Sequence, residues 1–144
     1  MIASWAIGAA CGVLVSGLAF AETRFTLHGS KSFDDAREDL EFAITQHNFR
    51  VTGRNEIGEA IVERGDTTLP RADVIHFCNL TLAARLLRAA PEYLLYMPCR
   101  IALRETPKGV VVETWLVPAD VAEVAAQVDE INTILRDIVR QAAE

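Results

Sequence analysis

Cysteine is scarce in this chain. Among 144 residues there are three, at Cys11, Cys78 and Cys99. They form neither the C-x-x-C-H of covalent haem attachment nor the paired C-x-x-C of a zinc site. Glycine builds no ligand cradle either. Gly53, Gly58 and Gly65 have the wrong spacing for a phosphate loop, and no Gly-Lys-Ser/Thr follows them. Positive charge is in deficit: 14 Lys and Arg against 20 Asp and Glu leave a net charge of −6. That argues against nucleic acid as the main partner, because a phosphate-binding surface needs clustered Lys and Arg. Arg71, Arg85, Arg88, Arg100 and Arg104 are locally dense but spaced singly, and read as a solvated mixed surface. Repeats, low-complexity tracts and linkers are absent. Residues 22–144 therefore read as one domain with one core.

Charge is missing altogether from residues 1–21, "MIASWAIGAACGVLVSGLAFA", which run straight into Glu22, Thr23 and Arg24. Ala19-Phe20-Ala21 has the A-x-A form of a signal-peptide cleavage site. No Lys or Arg precedes the apolar run, and its length of about 20 residues is enough to span a bilayer as a helix. Residues 1–21 are thus expected to be a secretory signal peptide or a retained N-terminal membrane anchor, with residues 2–21 as the membrane contact. Both readings put residues 22–144 in the periplasm, free or held to the inner membrane. Cys11 lies inside the apolar run as a passive part of it.

What is present is periodicity. Arg24–His28 alternates as a short strand. Phe33, Ala36, Leu40, Ala43, Ile44 and His47 repeat at three and four, giving a helix capped by Ser32 and stopped at Asn48. Asp34, Asp35, Glu38, Asp39 and Glu41 fall on its polar side and read as a solvated face rather than a catalytic dyad. Phe49–Thr52 is a second strand. Asn55 is expected to cap a short helix through Arg64, with Ile57, Ala60 and Ile61 inward and Gly65 closing it. Val74–Cys78 is apolar on both faces, as a central strand should be. Asn79 opens a helix to Ala90 with Leu82, Leu86, Leu87 and Ala90 inward, ended by Pro91. Ile101–Leu103 and Val110–Trp115 flank Thr106-Pro107-Lys108-Gly109 as a hairpin. Trp115 is expected in the core or an interface. Asp120 with Glu123 resembles a capping box, and Val121, Val124, Val128, Ile131, Leu135, Ile138 and Ala142 form the stripe of a last helix. The order implies an α+β two-layer domain, a small mixed β-sheet covered by helices on one face, preceded by an N-terminal apolar helix.

Residues 74–105, "VIHFCNLTLAARLLRAAPEYLLYMPCRIALRE", carry a resemblance. A strand ends in Cys78-Asn79, a helix follows with Leu82 and Ala83, and Pro91 breaks it. Leu95, Pro98 and Cys99 then lead into the hairpin. This pattern resembles the core motif of the domain-of-unknown-function 302 family, and the flanking elements extend the likeness over residues 22–144. Leu80 stands where many members have Pro. The resemblance implies the α+β fold and a small domain compatible with a homodimer. It implies no activity.

Four readings of the two cysteines stay open. Strand alternation puts His76 and Cys78 on one face, and Met97 and Cys99 share the same i, i+2 relation. Together they are a soft-donor set suited to copper or haem iron. Cys, Met and a strand His are also ordinary core residues. A disulfide is the third reading: it would close a loop of about 22 residues, contributing roughly 3 kcal/mol. It depends on whether Pro91–Pro98 climbs back along the helix to return Cys99 beside Cys78. A nucleophile has only His76 nearby to lower the thiol pKa. Asn79 serves the following helix as its cap.

The expected function is that of an exported, non-enzymatic binding or accessory domain, for a partner protein or small ligand or within an envelope complex, with no cofactor. The alternative is a redox, metal or haem protein using His76, Cys78, Met97 and Cys99.

Overall fold

The computed structural model describes residues 23–144. The expected apolar helix over residues 1–21 lies outside them. Five strands and four α-helices follow in the order β1 (Arg24–Gly29), α1 (Phe33–Gln46), β2 (Arg50–Glu56), α2 (Ile57–Val62), β3 (Ala72–Cys78), α3 (Leu80–Ala89), β4 (Cys99–Thr106), β5 (Gly109–Trp115) and α4 (Ala125–Ala143). Short 3-10 turns at Pro91–Tyr96 and Ala122–Val124 precede β4 and α4.

The sheet order is β1-β5-β4-β3-β2. Every neighbouring pair is antiparallel, so the sheet is not mixed. The reason lies after α3. That helix runs back along the sheet, and Pro91–Tyr96 returns the chain to the end it left. β4 therefore starts beside the end of β3, with Cys99 opposite Phe77. The two-layer α+β arrangement stands: α1, α3 and α4 cover one face, and their buried stripes meet Ile75, Phe77, Ile101, Leu103 and Val112 in one core.

The two longest helices form where their apolar residues recur. In α1 the buried residues are Phe33, Ala36, Leu40, Ala43 and Ile44. Ser32 Oγ accepts from the Asp35 N–H at 3.1 Å, satisfying one orphan donor of the first turn. Asn48 ends the segment at φ 59°, a left-handed conformation that Asn tolerates. In α4, Val128, Ile131, Leu135, Ile138 and Ala142 are buried in the expected register.

Two local expectations fail. The capping box does not form: α4 starts at Ala125 without a side-chain cap. Asp120 instead accepts from the hydroxyl of the buried Tyr93, 2.9 Å away, since a buried phenol requires a partner. Asn55 does not cap α2, because β2 continues through it to Glu56. Ile57 and Ala60 are exposed and only Gly58 is buried. A Cβ on Gly58 would meet Ala72 N and Pro70 O at 2.7 Å, so this helix docks on the chain by backbone approach rather than by an apolar stripe.

Candidate functional site

The alternation of β3 decides what reaches which face. Asp73, Ile75 and Phe77 are buried under the helices, whereas Val74, His76 and Cys78 are half-buried on the other side. β3 is thus apolar toward the helices and only partly covered opposite them. The ladder carries that parity across the sheet. His76 stands opposite Arg100 and Val74 opposite Ala102. Ala102 stands opposite Glu113. Glu113 faces Thr26, and Trp115 faces Arg24. The open face is therefore built from alternate residues of strands far apart in sequence.

Arg24, Val74, Arg100, Ala102, Glu113, Thr114 and Trp115 line a groove of about 240 Å³ on this face. Trp115 is 57% exposed, so it is a surface residue rather than core. Glu113 is already engaged, by Arg104 Nε at 3.5 Å and by the Thr26 hydroxyl at 3.3 Å. Among the described residues, Arg24 and Arg100 meet no carboxylate. The groove offers a flat indole, small apolar walls from Val74 and Ala102, and two uncommitted guanidinium groups. That combination suits an anion with an apolar body.

The four candidate ligands do not converge on one point. His76 and Cys78 share the open face as expected. Cys99 lies in register with Phe77 on the helix side, and both Met97 and Cys99 pack against the core. His76 Nε2 lies 2.8 Å from Asn55 Oδ1. That oxygen only accepts, so Nε2 is the donor of this bond. Among the described residues, no three His, Cys, Asp or Glu side chains gather as a metal site. Both cysteines are free thiols. Burial raises the Cys78 thiol above its ordinary value. Burial pushes Cys99 up to about 11, with nearby Cys78 adding to the rise. Neither is set up as a thiolate at neutral pH.

Asn79 and Pro98 are placed structurally. Asn79 Oδ1 accepts from the N–H groups of Thr81 and Leu82 at 3.0 and 3.1 Å, capping α3. Its Nδ2 donates to the Asn48 carbonyl at 3.1 Å. Pro98 follows a cis peptide bond and lines a small cleft with Tyr96, Arg100, Trp115 and Leu116.

The family model described as "Domain of unknown function DUF302" matches residues 25–144. The chain belongs to the DUF302 family. A solved DUF302 structure, the uncharacterized conserved protein from Bacillus stearothermophilus, superposes with a TM-score of 0.76 at 18% identity. It covers 85% of this chain and 99% of that one. That likeness establishes the shared fold. No curated protein matches the chain.

Sequence reasoning missed most of this DUF302 protein's groove. Along the chain Arg100 stands among singly spaced arginines and Arg24 at the start of a strand, and neither position alone points to a site. The available signal was the period of two in Arg100, Ala102 and Arg104, which lifts these residues out of the apolar Ile101 and Leu103.

Proposed function

We propose that this DUF302 protein is an exported, non-enzymatic binding domain that takes an anionic ligand with a flat apolar body on its open sheet face. The observation that carries the reading is the pairing of Trp115 with Arg24 and Arg100 around an apolar floor. An exposed indole next to two cations that meet no carboxylate among the described residues supports a binding surface rather than packing. The uncharged residues 1–21, ending in Ala19-Phe20-Ala21, support export. The thiols held protonated by burial support a non-enzymatic role. The redox or metal alternative needs His76, Cys78, Met97 and Cys99 at one centre, and the β3–β4 register favours their separation.

Naphthalene sulfonate is a suitable anionic probe and naphthalene methanol the neutral control. In the full chain, the Trp115 indole N–H resonance shifts on titration with the sulfonate. Arg100→Ala weakens that binding about tenfold, the value of one charge-assisted contact, while the neutral probe is unaffected. Equal binding of both probes, or of both proteins, would remove the anion from the proposal. Export is tested separately, by an alkaline phosphatase fused after Glu144. Activity requires an oxidising compartment. The intact mass of the mature chain decides between cleavage after Ala21 and a retained anchor.

A further inference from the structure

One end of the sheet collects exposed apolar and basic side chains. β1, β2 and β4 begin there, with Arg24, Arg50 and Arg100, and β3 and β5 end there, with Cys78 and Trp115. α3 leaves from this end with Leu80, and Leu94, Leu95 and Tyr96 lead back to it before β4. Leu80 is 79% exposed, Leu94 63%, Leu95 86% and Trp115 57%, with Tyr96 at 43%. An isolated exposed leucine needs no explanation, but a group of leucines bordered by Tyr and Trp marks an interaction surface. At the opposite end of the sheet the strands carry Glu56, Asp73 and Glu105 instead. That far end also carries Arg71, Arg104 and Lys108 and is mixed in charge, whereas Arg24, Arg50 and Arg100 at the apolar end meet no carboxylate among the described residues, in a protein whose net charge is −6.

The 21 uncharged residues join the domain at this same apolar, basic end, through Glu22 and Thr23 to Arg24. Among the described residues no helix is long and apolar enough to cross a membrane; residues 1–21 have the length and apolar composition that a spanning helix needs. We infer that residues 1–21 are retained in the bilayer and that the end of the sheet bearing Leu80, Leu94, Leu95, Tyr96 and Trp115 rests on the anionic membrane surface. The inference rests on the retained-anchor form of the export reading. Leucines enter the boundary between headgroups and acyl chains, Trp and Tyr sit at headgroup level, and Arg50 meets lipid phosphates, leaving Arg24 and Arg100 to the groove. A linker of two residues between the apolar stretch and β1 leaves this end little freedom to stand away from the bilayer.

The test uses the full chain with Trp5→Phe, leaving Trp115 as its one tryptophan. The chain is reconstituted in phosphatidylcholine vesicles with and without one-third phosphatidylglycerol, using lipids brominated near the headgroup. Trp115 emission is expected to fall about twofold in the anionic vesicles and less in the neutral ones. Leu94→Ser with Leu95→Ser, at exposed positions that spare the core, is expected to restore most of the emission while the chain still floats with the vesicles. Failure to float overturns the anchor. Flotation with unquenched Trp115 overturns the apposition and leaves this patch to a protein partner. Quenching that the Leu94/Leu95 double variant does not relieve also overturns the apposition, because it places the indole in lipid without the leucine edge.

Discussion

Asn79 holds Asn48 by a side-chain amide to backbone carbonyl bond of 3.1 Å, while the same side chain caps α3. One residue therefore ties the start of α3 to the left-handed turn between α1 and β2. Asn79→Ala removes both links and is expected to lower stability by about 1–2 kcal/mol. Asn79→Asp keeps the acceptor and loses the donor, so it should lose roughly half as much. Urea unfolding of the three proteins checks this: equal midpoints for Ala and Asp would show that the cap contributes nothing, and an Asp midpoint equal to wild type that the bond to Asn48 contributes nothing.

Asn132 is buried in α4 and its amide makes two 2.8 Å bonds, accepting from Val117 N–H and donating to Val117 C=O. It thereby pairs the backbone of the segment after β5 as a strand neighbour would. Asn132→Leu orphans both backbone groups and is expected to cost about 2–4 kcal/mol. The measurement is thermal or chemical denaturation. A change under half a kilocalorie would mean that water replaces the amide.

The thiols should be slow and unequal. With Cys99 near 11, only about one molecule in ten thousand carries that thiolate at pH 7. Iodoacetamide should label Cys78 before Cys99 in the native protein. Cys99 labelling should rise about tenfold per pH unit up to pH 10, because the thiolate is the nucleophile. Under denaturing, non-reducing conditions both should label completely. Peptide mass spectrometry reads all three outcomes, and a protected pair in the denatured chain would mean a disulfide.

Asp73 is buried with one oxygen lacking a hydrogen-bond partner. Arg37 lies 3.8 Å away. Burial dominates, Glu56 adds to it, and the carboxyl pKa is raised despite Arg37, Arg54 and Arg71. A raised carboxylate pKa means the folded state binds the proton more tightly than the unfolded chain. Its contribution to stability is therefore fully present below the unfolded value of 3.8. It is lost as pH rises through the raised folded value. Asp73→Asn should melt higher than wild type at pH 7, with the gap closing as pH falls toward 4. A gap independent of pH would assign the effect to packing.

The helices α1 and α4 were legible because solvent selects their stripes directly: each buried position is one turn from the next. Ser32 and Asn79 were legible as caps because a cap is a local bond. The sheet was harder. Whether β4 runs with or against β3 depends on how far Pro91–Tyr96 carries the chain back, and spacing permits both. The groove depends on register, which joins Arg24 to Trp115 across most of the chain. No window of sequence contains both. Trp115 read as core or interface because it ends a valine run, and its parity, that of Glu113, removes the core half of that expectation by putting it on the open side. Asp120 looked like a cap because the competing claim on it, Tyr93, lies in a different element.

The pairing of β1 with β5 has a kinetic consequence. Gly29, the last residue of β1, lies so close to Ala143 that a Cβ there would sit 2.1 Å from the Ala143 carbonyl oxygen. The first strand thus finds its sheet partner and its helix contact only near the end of the chain. Contacts at such sequence separation slow folding, since loop closure precedes any gain. A chain emerging from its N-terminus holds β1 unpaired until β5 has followed it out, and uncovered until α4 has.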